Sequence, residues 1–91
     1  MAEIAITSLG AREFQVDVRQ GTQQTSHRVT VPERIGDGPE LAGEDLERAV
    51  GESFRFLLER EPATSILRQF SLSDITRYFP EYPRELARRL A

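Results

Sequence analysis

The chain contains one histidine, His27, and no cysteine. A single imidazole cannot build a multi-histidine metal site, and without thiols both thiolate metal centres and disulfides are excluded. A serine could use His27 as its base, but no G-x-S-x-G turn is present to expose one. His27 also stands in alternation with Val29 and Val31, the parity of a partly buried sheet residue. The carboxylates Glu33, Asp37, Glu40, Glu44, Asp45 and Glu47 are numerous enough for calcium but lack the alternate-position spacing of a calcium loop, so they read as a solvated helix start. Gly36-Asp37-Gly38 has neither a lead-in strand nor the lysine or G-x-x-G continuation of a phosphate cradle, and reads as a turn. No cofactor, metal or catalytic role is expected.

Two other constellations remain. Arg84, Arg88 and Arg89 cluster near the end of the chain, with Arg77 just before them. Arg84 and Arg88 are four apart and share a helical face that could contact an anion. The simpler role for all three is to complement a helix C-terminus. The second constellation is aromatic: six of the seven aromatic residues fall between Phe54 and Tyr82. Phe54, Phe70 and Phe79 have periodic apolar neighbours and belong to a core. Phe56, Tyr78 and Tyr82 fit less well. Periodicity favours the tyrosines as a lid over that core, but Tyr78, Tyr82, Arg77 and Phe56 are also the residue types that anchor protein interfaces.

The elements that must position these residues follow from spacing. In REFQVDVRQ, Phe14, Val16 and Val18 alternate with polar residues, a period of two. EIAITSL and SHRVTVP repeat the pattern, with glycine-containing turns between them and Pro32 as a stop. Residues 1–32 are thus an expected antiparallel β-meander of three strands, and residues 33–43 a loop with a turn of helix after Pro39. Residues 44–61 are an expected long helix, because Leu46, Ala49, Val50, Ser53, Phe54, Leu57 and Leu58 recur at steps of three and four. Its apolar arc, widened by Phe56, is too broad to cover one sheet only, so a second layer is expected on its other side. Pro62 stops it. Residues 63–90 read as two or three short helices. One carries Ile66, Leu67 and Phe70 on a face; another starts at Ser71 with Asp74 completing a capping box; the last opens at Pro83. The expected class is α+β, one domain.

Ninety-one residues bury only roughly 60–65% of their unfolded surface, so stability rests on packing and on any oligomerisation. The net charge of −3 is uneven: residues 31–62 hold four basic against nine acidic groups, and residues 63–91 five against three. An acidic middle disfavours a nucleic-acid binder, which shows a basic footprint. The first ten residues lack a basic region followed by a long apolar run, and no apolar stretch approaches the ~18 residues of a membrane span. A soluble cytoplasmic protein is expected. All 12 basic residues are arginine, and lysine and asparagine are absent, which a GC-rich coding bias explains.

The blocks ESFRFLLEREPATSIL and FSLSDITRYFPEYP resemble a family of small uncharacterised bacterial proteins with a FLLEREP-like helix end and an SIL…F…I…YFPEY-like tail. The resemblance covers roughly residues 46–83, and the strands in pattern only. It implies kinship and brings no activity.

The expectation is therefore a non-enzymatic interaction module whose partner is another protein, with a sheet edge or the C-terminal helices available for self-association. The alternative is a nucleic-acid-associated, antitoxin-like regulator, which the strands, helix and basic tail would suit.

Overall fold

The computed structural model describes residues 2–38 and 40–91. Three strands, β1 (Ala2–Ser8), β2 (Glu13–Gln20) and β3 (Gln23–Thr30), form the expected antiparallel meander. The alternation in REFQVDVRQ places Phe14, Val16 and Val18 on the inner face, each 5% exposed or less. Register then builds rows across that face: Phe14 opposite Val29, and Val16 between Ile6 and His27. Burying such a valine contributes about 1.5–3 kcal/mol before chain entropy is counted. Gly21 turns β2 into β3 at φ 63°, a conformation glycine adopts without strain.

Residues 31–43 cross to the other layer. Arg12 holds this segment down, donating to the carbonyls of Val31, Pro32 and Leu41. The helical turn expected after Pro39 does not form: Glu40 instead makes an antiparallel bridge with Arg34, and Pro39 itself lies outside the described residues. The long helix α1 (Glu44–Leu58) starts where its acidic first turn suits the helix dipole. It ends three residues short of the expected position 61. A proline ring clashes with the carbonyl four residues back, here that of Leu58, so Pro62 keeps the helix from running on past its last turn.

The stretch expected as a helix around TSILRQF is different. A 3-10 turn (Ala63–Ser65) gives way to extended backbone at Ile66, with ψ 135°. Residues Gln69–Ser71 form a fourth strand, β4, parallel to β3, with Phe70 opposite Val29. The sheet order is β1-β2-β3-β4, so the three-stranded antiparallel expectation is corrected to a four-stranded mixed sheet. Ile66 and Phe70 are buried, as both patterns require, but Leu67 is 51% exposed, which the helical reading did not allow. A parallel partner needs a long crossover, and residues 31–68 with α1 supply it.

The capping box is present: the Ser71 hydroxyl accepts from the Ser73 amide, and Asp74 Oδ2 accepts from the Ser71 amide. It starts a 3-10 turn (Leu72–Asp74) that runs into α2 (Ile75–Tyr78). Then α3 (Tyr82–Leu90) folds back on α1, with Pro83 in its first turn. The broad arc of α1 is thereby used on two sides. Phe54 meets His27 and Phe70 on the sheet side, and Phe56 meets Phe79 and Tyr82 on the other. No helix among the described residues is long and apolar enough to cross a membrane.

A candidate docking cleft beside β4

The break at Pro62 and the short β4 leave a gap between the end of α1 and α2. Its floor is apolar, made by Leu57, Ile66, Phe70, Ile75 and Phe79, and its volume is about 300 Å³. Two of the three large exposed hydrophobic residues among the described residues, Leu67 at 51% and Tyr78 at 65%, stand on its rim. Glu61 and Asp74 also line it. Asp74 is held by the Ser71 amide, whereas the Glu61 carboxylate has no ion-pair or hydrogen-bond partner among the described residues. Partial burial pushes the Glu61 carboxyl above its ordinary range, because desolvation disfavours its charged form. A partly desolvated, unpaired carboxylate beside apolar surface is complementary to a cation carried on an apolar ligand.

Of the expected contact residues, Tyr78 alone belongs to this cleft. Arg77 is exposed on the same turn but does not line it. The expectation that Tyr82 and Phe56 meet a partner is corrected by burial: they are 0% and 1% exposed. Tyr82 forms the α3 side of the contact with α1, its hydroxyl 2.6 Å from Ser53 Oγ, and burial raises its pKa despite that bond. Phe56 lies under Arg60, whose guanidinium carbon is 3.6 Å from the ring centroid.

The three arginines expected to contact an anion do not form one free surface. Arg89 is paired with Glu59 and Glu85 and its side chain is only 14% exposed. Arg88 is paired with Glu85. The bonds from Arg88 and Arg89 hold the Glu85 carboxyl below its ordinary range. Arg84 is exposed and lines a separate hollow against Gly36, Asp37 and Gly38. The arginine cluster is thus mainly an intramolecular network tying α3 to α1.

His27 is buried at 2% exposure and both ring nitrogens are engaged. Nδ1 lies 2.8 Å from the Leu67 carbonyl, which can only accept, so Nδ1 carries the proton. Nε2 then accepts from the Thr25 hydroxyl at 2.8 Å. The ring fastens β3 to the segment leading into β4. Neither ring nitrogen is bonded to a carboxylate, and Asp17 is bonded to Ser26 and Gln15 on the other face of the sheet. No group of three metal-ligating side chains occurs among the described residues.

Sequence reasoning missed Glu61 and Leu67. Glu61 carries no local pattern that marks it, and Leu67 shares the expected helical face of Ile66. Only the turn to extended backbone at Ile66 sends neighbouring residues to opposite sides. No family model, curated protein or solved structure matches this chain.

Proposed function

We propose that the chain is a non-enzymatic protein-interaction module, acting as an adaptor or regulatory subunit in the cytoplasm. The observation that carries this reading is the cleft beside β4, where exposed Leu67 and Tyr78 flank an apolar floor and the unpaired carboxylate of Glu61. Its ligand is a short segment of a partner protein that inserts an aliphatic or aromatic side chain and sets a lysine or arginine against Glu61. The nucleic-acid-associated alternative has less support, because Glu59 and Glu85 already engage Arg88 and Arg89.

Selection of a displayed random-peptide library on the wild-type protein tests this reading. Enriched peptides should pair an apolar anchor with a nearby basic residue. Tyr78→Ala and Glu61→Gln should each weaken them by about tenfold, roughly 1.4 kcal/mol, with no loss of melting temperature. Failure to enrich any peptide, or binding by both variants as tight as by the wild type, would sink the proposal.

A further inference from the structure

The opposite edge of the sheet has its own complementarity. Strand β1 is seven residues long, pairs with β2 without a bulge, and among the described residues has no strand on its outer side. Native edges are normally protected by lysine, proline, bulges or a covering element. β1 has none of the first three and a single charge, Glu3.

Hydrogen-bond parity fixes which groups face outward. The Leu9 amide donates to the Glu13 carbonyl, so odd-numbered residues of this strand bond β2. The main-chain groups of Ala2, Ile4, Ile6 and Ser8 therefore point to the open edge. The side chains of Ala2, Ile4 and Ile6 lie on the core face and are only half-buried there. Helix α1 runs along this flank, with Ile6 Cδ1 3.4 Å from where a Cβ on Gly51 would lie, and Leu58 beside Ala2 and Ile4. The core is thus left open along one side of β1.

We propose that a second copy of this chain closes it, β1 pairing antiparallel with β1 about a two-fold axis at Ala5. The strand AEIAITS is palindromic in character about that residue: Ala2 matches Ser8, Glu3 matches Thr7, and Ile4 matches Ile6. In this register Ile4 and Ile6 of the two copies are hydrogen-bonded neighbours that extend the apolar face across the seam. Glu3 meets Thr7 of the second copy and no like charges are opposed, whereas an axis at Glu3 would oppose two carboxylates. The result is an eight-stranded sheet with a closed, isologous interface. A seven-residue edge buries less than the ~1,200 Å² of standard interfaces, so the dimer is a weak, reversible one, with a dissociation constant on the order of 10–100 μM. The clefts beside β4 lie at the far ends of that sheet, so the dimer presents two of them.

Sedimentation equilibrium across protein concentration tests the pairing, independently of any ligand for the cleft. The wild-type protein should pass from monomer to dimer. Ala5 is exposed on the outer face, so Ala5→Lys and Ala5→Glu leave the core untouched but oppose like charges at the axis. Each should remain monomeric with wild-type circular dichroism, and an equimolar mixture should recover the dimer. Because the chain has no cysteine, Ala5→Cys gives a clean second readout. Non-hydrogen-bonded partners stand about 4.5 Å apart between Cα atoms, within disulfide reach. Mild oxidation should cross-link Ala5→Cys into a dimer at least tenfold faster than Thr7→Cys. A wild type still monomeric at about 1 mM, a dimer undisturbed by Ala5→Lys, or equal cross-linking at the two positions overturns the proposal.

Discussion

The Tyr82 hydroxyl lies 2.6 Å from Ser53 Oγ inside the contact between α3 and α1, and both residues are fully buried. A serine on the apolar arc of a long helix is thereby satisfied by a residue 29 positions away. The pair fastens the C-terminal helix to the rest of the fold. Tyr82→Phe should cost about 1–3 kcal/mol, because it leaves the Ser53 hydroxyl buried without a partner. Ser53→Ala/Tyr82→Phe together should cost less than Tyr82→Phe alone, since no orphaned polar group then remains. Urea unfolding of the three proteins measures this, and a double variant less stable than the single one would refute the coupling.

Glu61 should make stability depend on pH in the direction opposite to most carboxylates. Its folded-state pKa is raised above 4.5 by desolvation, so the folded protein holds that proton longer than the unfolded chain. Stability is then lost as pH rises through the window just above 4.5. Glu61→Gln should stabilise the protein at pH 7 by less than about 0.5 kcal/mol, and the gain should vanish below that window. Glu85 acts in the other sense: its lowered pKa stabilises above the ordinary range and the effect fades as pH falls. Thermal unfolding of wild type and Glu61→Gln from pH 3.5 to 7 separates the two, and an equal gain at every pH would contradict the assignment.

The capping box at Ser71 should matter more than its surface position suggests, because it joins β4 to α2. Ser71→Ala should lower stability by about 1 kcal/mol, and Asp74→Ala by a similar amount. Their combined effect should be less than additive, since the two side chains close one reciprocal arrangement. Chemical denaturation of both single variants and the double variant gives the coupling directly.

His27 should prove structural. Removing the ring in His27→Ala opens a gap against Phe54 and frees the Leu67 carbonyl, at a cost of about 2–3 kcal/mol. The β3–β4 pairing should loosen first. Hydrogen exchange at the Arg28 amide, which donates to the Arg68 carbonyl, should accelerate more than exchange within the β1–β2 pair. Uniform acceleration across the sheet would show that the ring has no specific hold on β4.

The meander, the long helix and the capping box were legible because each is a local pattern. Alternation in FQVDV, the three-and-four spacing of α1, and a serine three residues before an aspartate all act within one turn or strand. TSILRQF was misread for an equally physical reason. Ile66 and Phe70 sit four apart, a spacing compatible with one face of a helix. It is also compatible with an extended segment that brings both to the core while Leu67, Arg68 and Gln69 between them stay exposed. What chose the strand was a vacancy beside β3, which no local pattern records.

By itself the sequence determined the α+β class, the two-sided burial of α1 and the lack of thiol or multi-histidine chemistry. These depend on residue type and near-neighbour spacing, which a chain carries before it folds. The tertiary structure alone decided which aromatics are surface. Tyr78 and Tyr82 are four residues apart, yet one is 65% exposed and the other 0%. The break at Phe79 and Pro80 turns the chain between them, so they are not on one helical face. It likewise decided that Arg88 and Arg89 turn to Glu85 and Glu59, and that Glu61 is left unpaired beside an apolar cleft. Burial and ion pairing depend on what arrives from distant parts of the chain.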